Sequence, residues 1–183
     1  MDATDDGNDA RSETTATSGF TAHTPASTLT VSDNFRYRPL SSGNKFLILE
    51  RASNKAISIT KDGGLRLQDM LAARSADNQW LCVEKNGYFG LLNSRSGKYI
   101  GHDGRGGMQA SVTKFSAWEC ITTRDQPGGG YKLLVPHWWE TLKTVAVAED
   151  GESLVTRDHG DTLWDFIQIP EGEGGVFGDR QEI

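Results

Sequence analysis

The sequence predicts an all-β fold that is built from three copies of one four-strand unit. The middle copy, Gly97–Ile121, contains a short strand, a glycine turn, a second short strand and a loop that leads into a tryptophan-containing segment. The segments Asn54–Val83 and Leu142–Ile167 repeat this order more loosely. Because the apolar residues show no helical periodicity, the repeat predicts short strands throughout.

The spacing of the copies favours a β-trefoil. Phe46, Phe89 and Lys132 lie in the strands that open the three units, at a constant spacing of 43 residues. In a β-trefoil, the first and fourth strands of each unit form a six-stranded barrel, and the second and third form three hairpins that cap it. Closing the barrel removes exposed strand edges, whereas a propeller of similar period needs about four blades or more. A β-trefoil domain is therefore predicted over residues 34–169.

The two ends of the chain differ from the repeat in composition. Residues 1–33 carry six acids and one base, and residues 170–183 carry four acids and one base. Neither segment has enough apolar residues to offset the entropy of ordering. We therefore expect a disordered acidic arm at 1–33 and an acidic Gly/Glu-rich tail at 170–183. Residues 35–39 are either an arm that packs on the domain or a linker.

Charge and hydropathy exclude several classes of function. The net charge is -6, and most of it lies in the two ends, so the repeat region lacks the basic surface of a nucleic-acid-binding protein. No apolar run reaches the roughly 20 residues that span a membrane, so no membrane span is predicted. The sequence shows no secretory signal, and a cytoplasmic location is expected.

The middle unit resembles a known family. Its pattern of Gly97-Lys98-Tyr99-Ile100, a glycine turn, Gln109-Ala110 and Ala117-Trp118-Glu119 resembles the repeat of the fascin-like β-trefoil domains. The resemblance covers roughly residues 44–169. It implies binding and cross-linking of actin filaments, although fascins chain several trefoils and this sequence has one. Fascin-like trefoils also occur as carbohydrate-associated modules beside other domains.

Ricin-type lectins share the β-trefoil fold but carry a Gln-x-Trp signature in each unit. Here Gln79-Trp80 lacks the spacer, and the other two units read Ala117-Trp118 and Leu163-Trp164. A ricin-type sugar site is therefore not predicted.

The five tryptophans fall into two groups. Trp80, Trp118 and Trp164 belong to the repeat, so they are interpreted as core residues. Trp138 and Trp139 stand outside it, in a loop with His137 and Glu140. The four residues His137, Trp138, Trp139 and Glu140 are the candidate ligand site, in which the indoles stack on a sugar ring or fill a partner's pocket. Alternatively, one indole plugs the barrel end or covers the N-terminal arm.

The two cysteines are predicted to be free core thiols. Cys82 and Cys120 each follow a repeat tryptophan by two residues, and the matching position in the third unit is Phe166. Since residues i and i+2 share one face of a strand, this position should point inward. A disulfide or a metal site is the alternative, but the spacing is not that of a zinc motif, and neither a metal nor a cofactor is predicted.

A set of basic residues recurs with the repeat. It consists of Arg51, Lys55, Arg95, Lys98 and Lys143. Repetition would place these cations in a ring around one end of the barrel, where they would meet an acidic partner such as a filament. Alternatively, each lysine is structural and covers apolar surface with its stem.

The histidines give a weak signal for catalysis. His102 precedes Asp103 and His159 follows Asp158, but neighbouring residues in a strand point to opposite faces. No nucleophile elbow, zinc-protease motif or phosphate loop is present. The sequence therefore predicts a non-catalytic binding module with a protein partner, and the resemblance to fascins implies actin as that partner. The alternatives are a carbohydrate-binding module that uses Trp138 and Trp139, and an enzyme that uses the loop histidines.

Overall fold

The computed structural model describes residues 36–69, 76–138 and 141–171, and this part of the chain contains thirteen strands and two short 3-10 helices. The prediction for residues 1–33 lies outside these ranges, and so does the prediction for the tail at 170–183, apart from its first two residues. The 3-10 helices are Ala76–Asn78 and Ala117–Glu119. The strands are β1 Arg36–Tyr37, β2 Lys45–Glu50, β3 Ala56–Ile59, β4 Leu65–Gln68, β5 Trp80–Lys85, β6 Tyr88–Asn93, β7 Tyr99–His102, β8 Met108–Val112, β9 Thr122–Asp125, β10 Tyr131–His137, β11 Thr141–Val147, β12 Leu154–Arg157 and β13 Trp164–Ile169.

The first and fourth strands of the three units form a closed six-stranded barrel. β2 pairs with β5, β5 with β6, β9 with β10, β10 with β13, and β13 with β2. The remaining junction is the bridge between Phe89 of β6 and Ile121, the residue directly before β9. These pairings confirm the all-β fold and the predicted β-trefoil.

The second and third strands of each unit form the three predicted cap hairpins. They are β3–β4, β7–β8 and β11–β12. The hairpins also meet one another, because isolated bridges join each hairpin to the other two. These bridges are Gly64↔Gln109, Arg66↔Ser153 and Gly107↔Val155. The contacts follow the pseudo-threefold arrangement of the repeat.

The segment before the barrel behaves as an arm. Arg36 pairs with Gln168 and Tyr37 with Ile167, so β1 adds to the edge of β13 through its backbone. The Tyr37 side chain is 55% exposed, so backbone pairing rather than ring burial holds this segment. No helix in the described residues is long and apolar enough to cross a membrane.

Two of the three repeat tryptophans are core residues, as predicted. Trp80 and Trp164 are completely buried. The Nε1–H of Trp80 donates to the carbonyl of Ile57 at 3.0 Å, and that of Trp164 donates to the carbonyl of Val145 at 3.2 Å. Each indole therefore ties the fourth strand of its unit to the cap hairpin, and its polar atom is satisfied inside the core.

The prediction that Trp118 is a core residue is wrong. Trp80 pairs with Phe46, and the residue that pairs with Phe89 in the second unit is Ile121, so Ile121 occupies the equivalent position. Ile121 is 1% exposed, whereas Trp118 is 54% exposed and lies in the 3-10 helix Ala117–Glu119. Aligning Trp118 with Trp80 and Trp164 was therefore wrong by three residues, because the structurally equivalent residue is Ile121.

The same three-residue error makes the prediction of a core thiol wrong for Cys120, although it is right for Cys82. Cys82 is buried, but Cys120 is only partly buried and lies between the 3-10 helix and β9, where strand alternation does not apply. Its Sγ–H donates to the carbonyl of Ser116 at 3.4 Å. Burial, with a contribution from Glu84, raises the pKa of Cys82 to about 12. Both cysteines are free thiols, as expected.

The contrast among the tryptophans predicts a large difference in stability. Replacing Trp80 or Trp164 by alanine should cost about 3–5 kcal/mol, because each change leaves a cavity in the core. Replacing Trp118 by alanine should cost about 1 kcal/mol, the value of a single aromatic stacking contact. Chemical denaturation of the three variants measures these losses. A loss for Trp118→Ala as large as that for Trp164→Ala would contradict the assignment of Ile121 to the core.

The two thiols should differ in reactivity. A thiol reagent should label Cys120 in the native protein and Cys82 only after denaturation, since Cys82 is fully buried and its thiolate is rare at neutral pH. Time-resolved labelling followed by mass spectrometry identifies the modified residue. In the control variant Cys120→Ser, no labelling is expected until the protein is denatured. Rapid native labelling of that variant would show that Cys82 is accessible.

Candidate functional site

An open cavity of about 620 Å³ lies between the second and third units. Four aromatic rings form a row along it. Trp118 stacks on His102 with ring centres 5.3 Å apart and an angle of 20°, His102 lies 5.8 Å from His137, and His137 lies 5.8 Å from Trp138. The structure thus brings the predicted residues His137 and Trp138 together with two residues from the preceding unit.

The third unit presents Trp138 because its first turn departs from the pattern of the other two. In those turns the Glu50 N–H donates to the Lys55 carbonyl and the Asn93 N–H to the Lys98 carbonyl, each at 2.8 Å. The equivalent residue of the third unit is Pro136, which has no N–H to donate. The third turn cannot close at that point.

The side chains reinforce this difference. The Glu50 carboxylate accepts the N–H groups of Ala52 and Ser53, and Asn93 Oδ1 accepts those of Arg95 and Ser96. Pro136 has no side-chain acceptor that could fold its turn in this way. β10 and β11 instead continue to the pair His137↔Thr141, and the Thr141 hydroxyl donates to the His137 carbonyl. The turn therefore projects further from the barrel.

Trp138 occupies the start of this turn. Its φ is 56°, a left-handed conformation that costs a residue with a side chain of this size about 1–3 kcal/mol. The side chain is 80% exposed, so its ring does not plug the barrel. Trp139 and Glu140, the other two members of the predicted site, lie outside the described residues.

The opposite wall is the 3-10 helix that carries Trp118. Ser116 N–H donates to the carboxylate of Glu119 at 3.0 Å, which stabilises the helix start. This helix lies very close to β7, because a Cβ at Gly101 would stand 2.9 Å from the Trp118 carbonyl oxygen. A Cβ at Gly104 would likewise stand 3.3 Å from the indole of Trp118. Glycine at these positions lets Trp118 lie against the hairpin.

His102 forms the floor of the cavity. Its side chain is 6% exposed, and its Nδ1 accepts the backbone N–H of Gly104 at 3.1 Å. Its Nε2 is shielded from solvent and makes no hydrogen bond of good geometry to the described residues, although the Pro136 carbonyl acts on the ring as an acceptor.

The environment of His102 disfavours its charged form. Burial is the main cause that lowers its pKa, and repulsion from His137 and Lys143 acts in the same direction. The carbonyl of Pro136 and the carboxylate of Asp103 oppose the shift only in part. His102 is therefore neutral at physiological pH.

The five cations of the predicted basic ring do not line this cavity. Lys55 and Lys98 are half-buried, and their carbonyls close the turns of the first two units. The other three lie against carboxylates: Arg51–Asp165 at 3.0 Å, Arg95–Asp77 at 3.1 Å and Lys143–Asp158 at 3.5 Å. These contacts favour the structural interpretation. A role for the basic ring in partner binding stays a prediction.

The remaining histidines do not add to the site. His159 lies in a separate small pocket with Asp158 and Asp161, and His23 lies outside the described residues. Among the residues that the structure describes, no group of three or more His, Cys, Asp or Glu is placed to hold a metal ion.

Neither His102 nor Trp118 was predicted from the sequence as a member of this site. A signal for Trp118 was present, since Ser116 and Glu119 have the spacing of a capping box and therefore predict a helical turn rather than a strand. His102 had no comparable signal. Its partner is the backbone N–H of Gly104, and its contact with His137 depends on the packing of two units.

His102 should make stability depend on pH. Its pKa is lowered in the folded state, so the unfolded chain binds a proton more readily. The free energy of unfolding should therefore fall as the pH is lowered through about 6.5, and level off below the folded pKa. Urea denaturation between about pH 8 and pH 5 measures this slope. His102→Asn should reduce it and the control His159→Asn should not; an unchanged slope in His102→Asn would contradict the assignment.

No protein-family model and no curated protein sequence matches the chain. Solved structures share its fold. The Macrolepiota procera ricin B-like lectin in complex with lactose has a TM-score of 0.59 and 16% identity, over 73% of this chain and 100% of the lectin. The Polyporus squamosus lectin bound to Neu5Acα2-6Galβ1-4GlcNAc has a TM-score of 0.56 and 12% identity, over 70% and 50% of the two chains.

A domain of a larger enzyme is also similar. The GlcNAcα1-4Gal-releasing endo-β-galactosidase from Clostridium perfringens has a TM-score of 0.61 and 16% identity, over 69% of this chain and 33% of the enzyme. This chain therefore spans about a third of that protein. These similarities give no support to fascin membership or to actin binding. The chain is a β-trefoil, with the fold that the ricin B-like lectins share.

Proposed function

We propose that this chain is a non-catalytic carbohydrate-binding module whose site is the cavity between the second and third units. The observation that carries the proposal is the row of four rings, with exposed indoles of Trp118 and Trp138 at its two ends. The C–H faces of a sugar ring pack on aromatic faces, and the hydroxyls bond to polar groups around them. The cavity is large enough to hold one or two sugar residues.

The arrangement of the rings supports binding rather than folding. Trp118 and Trp138 leave much of their apolar surface in water, and Leu142 on the cavity wall is also exposed. A contiguous exposed apolar patch of this kind marks an interaction site. Trp118 is held in place by His102 and by its close approach to Gly104, so little entropy is lost when a ligand stacks on it.

The structures with the same fold support the choice of first probes. One is a complex with lactose, one is a complex with a galactose-containing trisaccharide, and one is an endo-β-galactosidase. At 12–16% identity their ligands do not transfer to this chain. They do make β-galactosides the first sugars to test.

The described lining of the cavity argues against glycoside hydrolysis. Most glycosidases use two carboxyl groups that flank the bond to be cleaved. Among the described residues that line the cavity there is no Asp or Glu. His102 also cannot serve as a base oriented by a carboxylate, because its Nδ1 accepts the Gly104 N–H. These contacts favour a binding site over the enzyme alternative.

Protein binding, with actin as the candidate partner, has weaker support. It rested on the fascin resemblance and on the basic ring. Arg51, Arg95 and Lys143 each have a carboxylate within 4.0 Å, which reduces the field they offer an acidic partner. No described contact favours actin over other proteins.

A glycan array probed with the full chain tests the proposal, followed by titration with lactose or the best array sugar. Trp118→Ala and Trp138→Gly should each weaken binding about tenfold or more, since stacking on an aromatic ring is worth on the order of 1.4 kcal/mol. Glycine is chosen at position 138 because it tolerates the φ of 56°, so stability should be kept or increased.

The matched control is Tyr37→Ala, which removes an aromatic side chain that is 55% exposed and lies on β1, outside the cavity. It should bind as the parent chain does. An array without any bound glycan would overturn the proposal. Binding that survives both tryptophan changes would place the sugar elsewhere on the molecule.

A further inference from the structure

We propose that the cavity binds two consecutive sugar residues in two separate subsites, a primary one on Trp118 and a secondary one on Trp138. The ligand is then a disaccharide unit, free or within a longer glycan, and a single sugar residue fills only the primary subsite. This inference rests on the proposed carbohydrate-binding function and names the substrate class of the same site.

The first step is the separation of the two exposed indoles. The rings of His102 and His137 lie between them in the row, and each step along the row measures 5.3 to 5.8 Å between ring centres. Among the described residues, the two indoles make no ring contact with each other. A pyranose is similar in size to one aromatic ring, so a sugar that stacks on one indole leaves the other free for the next sugar.

The second step is the surface that Trp118 offers. The His102 ring lies nearly parallel to the Trp118 indole, at 20°, and covers part of one face. The hairpin backbone also lies close, since a Cβ at Gly104 would stand 3.3 Å from the indole. The Trp118 side chain is nevertheless 54% exposed, so the face turned away from His102 is open. This open face can take one sugar ring.

The third step ranks the two indoles by how firmly each is held. Trp118 belongs to a 3-10 helix whose start is stabilised by the hydrogen bond from Ser116 N–H to Glu119, and its ring stacks on His102. Trp138 lies in a turn and is 80% exposed, and among the described residues its only ring contact is an edge-to-face one. A side chain that is already held loses less entropy when a ligand binds, so Trp118 forms the primary subsite.

The fourth step is the size and position of the cavity. Trp118 comes from the segment before β9 and Trp138 from the turn between β10 and β11, so the row of rings crosses from the second unit to the third. The volume of about 620 Å³ is sufficient for two sugar residues but not for a long chain. Further residues of a longer glycan would therefore extend into solvent and add little affinity.

Titration with a lactose series tests the inference. The probes are methyl β-galactoside and methyl β-glucoside, which correspond to the two halves of lactose, then lactose itself and a tetrasaccharide that contains lactose. Affinity should rise about tenfold or more from the tighter half to lactose, as expected for one added stacking contact. It should change little from lactose to the tetrasaccharide. Calorimetry measures the longer sugars, and ligand-observed NMR measures the methyl glycosides. If the glycan array selects another glycan, its own fragments replace these probes.

Two variants assign the subsites. Trp138→Gly should remove the gain that lactose shows over the tighter methyl glycoside, while the affinity for that methyl glycoside stays the same. Trp118→Ala should weaken binding of both sugars about tenfold or more, because it removes the primary stacking surface. The control Tyr37→Ala changes a residue outside the cavity and should keep every affinity of the parent chain. Thermal melts check that each variant folds.

The outcomes also separate the two proposals. If no array glycan binds, the carbohydrate function fails and the inference fails with it. If a single sugar binds as tightly as the disaccharide, the function stands and the inference is wrong. An equal loss for both sugars in Trp138→Gly would show that one sugar touches both indoles, which also contradicts the inference. So would a further tenfold gain for the tetrasaccharide. The parent series needs no variant, so a variant that fails to fold leaves the test decisive.

Discussion

Closure of the barrel between β2 and β13 is the constraint on which the rest of this structure depends. Six consecutive residue pairs join the two strands, from Trp164↔Glu50 to Ile169↔Lys45, and they bring together segments more than a hundred residues apart in the chain. This junction encloses the core, in which the indoles of Trp80 and Trp164 hydrogen-bond to the cap hairpins. The strands then have little freedom, and variation is confined to the turns and to the loops before the fourth strands.

The candidate site arises where two such variations face each other. In the third unit, Pro136 prevents the turn that Glu50 and Asn93 close in the other units. In the second unit, the 3-10 helix before the fourth strand carries Trp118 outward, whereas the matching helix of the first unit, Ala76–Asn78, has Asp77 at that position. Neither change touches a buried pairing of the barrel. The cavity therefore departs from the threefold pattern without altering the pairing of the barrel strands, and the strain is confined to the turn at Trp138.

The barrel could be predicted from the sequence because each of the three units must place the same strands at the same spacing. Each unit needs buried strands at fixed intervals, so the spacing of Phe46, Phe89 and Lys132 was informative. Residue type was a poorer guide, since the core position after the loop accepts Ile121 as readily as Trp80. Only part of the candidate site could be predicted from the sequence. The Trp138 loop stood out as an irregularity in the repeat, whereas His102 acquires its role from a backbone N–H and from a ring contributed by another unit.

The departure of a single turn from the threefold pattern also determines how many copies of the proposed site the described residues form. The turns that follow Glu50 and Asn93 are folded back by their own side chains, so among the described residues neither presents aromatic rings as the third turn does. A lectin with three equivalent sites gains avidity by rebinding through a neighbouring site. The described residues form one such cavity, so under the proposed function the time that a single copy stays on a glycan-covered surface would be set by the dissociation rate of one contact. Durable attachment would require several copies to be displayed together.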